Sequence, residues 1–153
     1  MMTRKERVIS LLRSVNRPGM DKVIDSLESR GYFDAKCYGY HRYKGGMSAH
    51  ALEVYDYMMA NNTMGLPADS ICIAALFHDF GKAVRRSGRY NGEHPERSLI
   101  LLDELGLKLT DDERTAIGCH HRKDLTFLTC PLRRLLSLGD CASTGAWKRE
   151  HAR

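Results

Sequence analysis

Ala74-Ala75-Leu76-Phe77-His78-Asp79-Phe80-Gly81-Lys82 ends an apolar run with an imidazole, a carboxylate, a glycine and a lysine. The spacing predicts a helix over residues 67–80, starting near Pro67 and stopped by Gly81. A carboxylate buried there without a partner costs several kcal/mol, roughly, and a bound cation is the usual remedy. Candidate co-ligands lie on both sides of the doublet: His50 before it, then His94, His120, His121 and Asp140. Five of the seven histidines fall in this set, and only His41 and His151 lie outside it. The set reads as a metal site.

Helical periodicity extends outward from this stretch in both directions. Residues 3–15 place Val8, Leu11, Leu12 and Val15 on one face before Pro18-Gly19, and a second helix runs from Met20 to Arg30, before Gly31. Residues 32–46 are rich in aromatics and glycine and read as a loop with a short extended piece. After Gly45-Gly46, Met47, Ala51, Val54 and Met58 form a stripe with His50 beside it. Beyond the doublet, residues 85–92 form a polar loop, and Pro95 suits the first turn of a helix running to Leu105. Thr110 and Glu113 form a capping-box pattern for a helix ending near His121. Thr129 and Pro131 open a last helix carrying Leu132, Leu135, Leu136 and Ala142. The expectation is an all-α single domain spanning residues 1–153, a compact bundle of about six or seven helices. Residues 1–30 would supply N-terminal helices and residues 31–145 the metal-binding core.

Each candidate ligand leans toward the buried side of its helix. Asp140 falls four residues after Leu136, His50 four before Val54, and His120 and His121 three and four after Ile117. Adjacent helical residues point about 100° apart, so both of the last pair reach one metal only if the helix ends there. His94 at a helix start favours the neutral imidazole that a metal needs, and Asp79 at a helix end favours a nearby cation. Imidazole and carboxylate donors without thiolate point to Fe, Mn, Co, Ni or catalytic Zn, with Mg less suited.

The bulk properties set wider bounds. A hydrophobic share of 42% is ordinary for a globular chain, and no stretch is long and apolar enough to span a membrane. The charged start Met1–Arg7 has no apolar run behind it, and the five cysteines are odd in number and scattered. Both features predict a reducing, cytoplasmic location, with Cys72 and Cys141 as core thiols and Cys119 as a small buried residue. The net charge of +5 is a mild tilt toward anionic partners. Trp147 is expected to cap the core.

The order His50, His78-Asp79, Asp140 resembles the HD-domain metal-dependent phosphohydrolase superfamily, whose pattern is His, His-Asp, Asp. The likeness covers residues 30–145 and is carried by Ser48–Val54, Phe77–Lys82 and Ser137–Ser143. It implies an HD-like bundle with two divalent metal ions. One would be held by His50, His78, Asp79 and Asp140. The other would be held by His94, His120 and His121, with Asp79 bridging. It also implies a metal-bridged hydroxide as nucleophile, with Asp79 and Lys82 in the catalytic machinery and Lys82 on the substrate phosphate. Arg85, Arg86 and Arg89 are placed to guide that phosphate in.

The ligand set is similar to that of HD-GYP cyclic dinucleotide phosphodiesterases, but the Gly-Tyr-Pro loop is absent after His121. Tyr40–Gly46 is similar to the HD portion of bacterial 3′–5′ exoribonucleases, without room for their strand-gripping domain. The expected partner is a small phosphorylated substrate, a nucleotide or short oligonucleotide, with no membrane and no obligatory protein partner. The alternatives are a di-iron HD-type oxygenase and a non-catalytic nucleotide-binding module.

Overall fold

Local capping chemistry starts the helices at both ends of the chain. Thr3 accepts the Glu6 N–H and Glu6 accepts the Thr3 N–H, opening α1 (Arg4–Arg13). The same reciprocal pair, Thr110 with Glu113, opens α6 (Asp111–Cys119). Pro131 stands in the first turn of α8 (Pro131–Glu150), and Pro95 in that of α5 (His94–Glu104). In the computed structural model, which describes residues 1–152, the remaining helices are α2 (Met20–Ser26), α3 (Gly46–Ala60), α4 (Ala68–Phe77) and the short α7 (Thr126–Thr129). Two 3-10 turns, Phe80–Ala83 and Gly88–Tyr90, join α4 to α5. The fold is all-α, and no strand forms among the described residues.

Every residue of α4 from Ser70 to Phe77 is buried, because the helix runs between two apolar clusters. Cys72, Ile73, Leu76 and Phe77 face a cluster containing Val8, Leu12, Val23, Leu27, Tyr32, Leu101 and Leu102. Ile71, Ala74 and Ala75 face one containing Val54, Met58, Ala116, Leu132 and Leu136. Each fully buried large aliphatic side chain contributes about 2 kcal/mol. α3 packs against both α4 and α8, and α6 against α5 and α8. The C-terminal end of α4 therefore emerges where α3, α5, α6 and α8 converge.

Residues 27–45 wrap this end as turns, bends and irregular chain, and the short extended piece expected from sequence forms no strand. Tyr32 donates its hydroxyl to the Leu76 carbonyl at 2.6 Å and packs edge-on against Phe77 and Phe80. Cys37 donates its N–H to the His41 carbonyl, and His41 has φ +42°, the sole positive φ of a non-glycine residue among those described. A Cβ on Gly46 would lie 1.9 Å from the His41 oxygen, so α3 must open on glycine for this loop to close.

Several element ends differ from the sequence expectation. α2 ends at Ser26 rather than Arg30, and residues 27–34 continue as turns. α4 ends at Phe77 rather than Phe80; His78 caps it, and Asp79 leaves helical geometry before the 3-10 turn. α7 was not foreseen, being too short to show a period. Cys72 is buried, but Cys141 is exposed on α8. Cys119 is half-buried, its helix ending at that residue. Trp147 is half-buried and belongs to neither apolar cluster; it stacks on His151 at 4.1 Å beneath the Arg42 guanidinium. All five cysteines are free, and no helix is long and apolar enough to cross a membrane.

A buried ion pair ties the α1–α2 connection to α6. Arg17 grips both carboxylate oxygens of the fully buried Glu113, which also accepts from Ser70 at 2.7 Å. Burial raises the pKa of Glu113, but hydrogen bonds from Arg17, the Thr110 N–H and Ser70 outweigh it and hold the value below 4.5. Below that ordinary value the unfolded chain binds more protons than the folded one. The stabilisation is therefore present above pH 4.5 and lost as pH falls through the lowered folded value. Glu113→Ala should cost about 3 kcal/mol near neutral pH by leaving Arg17 unpaired. Urea unfolding should show that deficit shrinking as the buffer is acidified.

Candidate metal centre

Seven side chains from five places in the chain meet at the end of α4: His50 of α3, His78 and Asp79, His94 of α5, His120 and His121 at the end of α6, and Asp140 of α8. His50, His78 and Asp140 form one group whose donor atoms all lie within 4.8 Å of one another; Asp79, His94, His120 and His121 form another. Either group could hold a metal ion.

Asp79 faces both. Its Oδ2 lies 3.4 Å from His78 Nε2 and 3.6 Å from His50 Nε2, while Oδ1 lies 3.1 Å from His94 Nε2 and 3.6 Å from His120 Nε2. Asp140 Oδ1 approaches His50 Nε2 to 2.8 Å and His78 Nε2 to 3.9 Å, and its Oδ2 lies 3.9 Å from His121 Nε2. Nε2 atoms also face each other at 3.3 Å in two pairs, His50 with His78 and His94 with His120.

Outer hydrogen bonds fix what those nitrogens carry. His78 Nδ1 lies 2.8 Å from the Ala75 carbonyl and His120 Nδ1 2.7 Å from the Ile117 carbonyl. A carbonyl only accepts, so each Nδ1 bears the proton. His50 Nδ1 lies 2.9 Å from Ser143 Oγ, whose hydroxyl donates to Glu53 at 3.2 Å; Ser143 must then accept from His50. In the neutral rings all three Nε2 atoms are bare lone pairs aimed inward. Burial pulls the His78 pKa down to about 3, so that ring is neutral at physiological pH. Burial, with His120 nearby, pulls His121 down to about 4.

Lone pairs therefore point at lone pairs and at two carboxylates. Asp79 Oδ1 and Asp140 Oδ1 are buried without a hydrogen-bond partner, although imidazole nitrogens stand close by. Such a cluster fits a cation between its members far better than it fits itself. Burial raises the pKa of Asp79, but the charged Lys82 beside it works the other way, and the carboxylate stays well below its ordinary value. The donors are nitrogen and oxygen, a set that could hold a metal ion.

Lys82 donates to Asp79 Oδ2 and to Tyr40 Oη, each at 2.9 Å. Burial works to lower its pKa, but Asp79 and Tyr40 raise it above the ordinary ammonium value, so it stays charged. The 3-10 turn after Asp79 brings Lys82 back over the carboxylate.

The surrounding frame explains why the ends of helices meet here. Ser98 accepts the Gly81 N–H at 2.7 Å and reaches the His78 and His94 carbonyls at 3.0 and 2.9 Å. Arg97 donates to the Gly81 carbonyl at 3.0 Å. From α8, buried Arg133 holds the Cys119 and Arg122 carbonyls, and Ser137 holds that of His120 at 3.0 Å. Because α6 ends at Cys119, His120 and His121 escape the 100° separation of a continuing helix, and both face the cluster. A Cβ on Gly81 would lie 2.1 Å from the His94 carbonyl. Gly81→Ala should therefore cost about 3 kcal/mol. It should also displace His94, which thermal melting with and without manganese would register as a diminished metal-induced shift.

Two of the three loop arginines are paired with acids. Arg86 pairs with Glu93 at 2.5 Å, Arg89 with Glu104 at 2.7 Å, and Arg85 is exposed without an ion pair among the described residues. Sequence reading passed over Tyr40, Glu53, Ser98, Arg133, Ser137 and Ser143. Ser143 had a signal, since it falls three residues after Asp140 on the same helical face. His41, unassigned from sequence, is buried beside His50, with ring centroids 5.3 Å apart, and bonds Glu53 at 2.5 Å. No family model matches the chain, and neither a curated protein nor a solved structure does.

Proposed function

We propose that the chain is a divalent-metal-dependent phosphohydrolase acting on a nucleotide-like phosphomonoester or phosphodiester, as its resemblance to the HD-domain superfamily implies. The observation that carries the reading is the division of Asp79, one oxygen toward His50 and His78 and the other toward His94 and His120. A single carboxylate shared in this way suits two ions held side by side. His50, His78 and Asp140 would hold one and His94, His120 and His121 the other. Two such ions, when bound, supply Lewis acidity toward phosphoryl oxygens and lower the pKa of a water toward neutrality.

The chain's own residues supply the rest. Lys82, charged and anchored to Asp79, presents a cation beside the centre where negative charge would gather on a phosphoryl group. Tyr40 accepts from Lys82 and packs its ring 5.1 Å from His50. Glu53 and Ser143 hold His50 in its metal-binding tautomer. Arg85, Arg86 and Arg89 would guide the phosphate in by charge, two of the three being paired with acids.

Purified protein stripped with chelator and reloaded with manganese or cobalt should release alcohol or phosphate from nucleotides or chromogenic phosphate esters. Absence of turnover with every divalent ion, together with oxygen consumption by an iron-loaded form, would sink the proposal in favour of an oxygenase.

A further inference from the structure

Resting on the phosphohydrolase reading, we infer that the substrate is a phosphodiester, with the two groups flanking its phosphorus seated in two separate clefts. One cleft, of about 470 Å³, is walled by Tyr40, His120, His121, Asp140, Thr144 and Lys148. Another, of about 410 Å³, is walled by Glu93, His94, Glu96, Gly118, His121 and Arg122. Both have the size of small-ligand sites. His121 lines both, its ring half-exposed between them. The clefts therefore adjoin at the metal centre, one along α8 and the other between α5 and α6.

A phosphomonoester carries one organic group and needs one such recess. A second recess of matching size on the far side of His121 would stay filled with water during its hydrolysis. A diester places one substituent on each side of the phosphorus and fills both. The clefts also differ in charge. Beyond the candidate ligands, the α8 side carries only Lys148, and the α5–α6 side carries Glu93, Glu96 and Arg122. Glu93 is occupied by Arg86, and Lys148 is the cation free for a further anion.

In the reaction, one water oxygen bonds to phosphorus and the bond from phosphorus to one ester oxygen breaks. That oxygen leaves with its electron pair and takes a proton from the water, giving an alcohol. The other substituent stays on a phosphomonoester that carries the water's oxygen. Nothing is oxidised or reduced.

Bis(4-nitrophenyl) phosphate and 4-nitrophenyl phosphate release the same chromophore, so the full-length manganese-loaded protein can be read on both. The diester should be preferred in kcat/KM by about tenfold or more. Thr144→Phe narrows the α8 cleft and Glu96→Trp the α5–α6 cleft. Each should cut diester kcat/KM by about tenfold while changing the monoester, which can use the cleft left open, by about twofold at most. Should either variant fail to melt cooperatively, Thr144→Leu and Glu96→Leu replace them. Preference of the wild type for the monoester overturns the inference, as do parallel losses on both substrates in folded variants. Turnover of neither ester removes the phosphohydrolase reading itself, a different result from a monoester preference.

Discussion

Asp79→Asn is expected to lower kcat/KM by about 10⁴-fold, the scale on which a single essential group acts within a cooperative catalytic unit. Its size and shape are kept, so the effect isolates charge. An amide offers one oxygen where the carboxylate offered two, and its NH₂ would face either the His50–His78 pair or the His94–His120 pair. Whichever set meets the NH₂ loses its shared anion. Metal content after reloading should then fall to about one ion or fewer per chain, with the remaining ion on the side facing the amide oxygen. Lys82 would lose its charged partner while remaining buried, which costs about 3 kcal/mol. Turnover must therefore be measured below the variant's own melting temperature. Retention of more than about a tenth of wild-type turnover in folded Asp79→Asn would remove Asp79 from the shared position.

The helical fold was legible because its signals are local. The Thr110–Glu113 capping box, two first-turn prolines and the apolar run into His78 are each contained within a few residues, and the structure uses all of them. The two candidate metal groups were visible for a related reason. Imidazole and carboxylate on the inner faces of separate helices have few structural uses that leave them unpaired. What escaped was set by long-range packing. α4 stops three residues early, and Gly81 in the turn that follows lies against the His94 carbonyl, a contact thirteen residues away in sequence. The outer hydrogen bonds join residues as distant as His50 and Ser143, and although Ser143 shares a helical face with Asp140, nothing local pairs it with His50. Arg133 shows the opposite failure: a cation in a helix reads as solvent-facing, yet three carbonyl-directed bonds from Arg133 and Ser137 make the end of α6 a fixed platform.

The two halves of the centre should bind metal with unequal strength. His50 and His78 are fully buried, Asp140 nearly so, and both imidazoles are held by outer hydrogen bonds. On the other side only His120 is held in this way, while the side chains of His94 and His121 are 18% and 50% exposed and make no outer hydrogen bond among the described residues. Ordering a free side chain costs about 0.5–1.5 kcal/mol, so two of them separate the affinities by roughly one to two powers of ten. Calorimetric titration of the stripped protein with manganese should resolve a tight step and a weak one. Saturating the tight step at about 1,000 times its Kd contributes about 4 kcal/mol and should raise Tm by about 10 °C. Ser143→Ala frees the His50 tautomer and should weaken the tight step by about 10–100-fold, leaving the weak step in place. His121→Ala should erase the weak step and spare the tight one. If each substitution instead weakened both steps alike, the centre would be one undivided site, and the division of Asp79 would have no thermodynamic consequence.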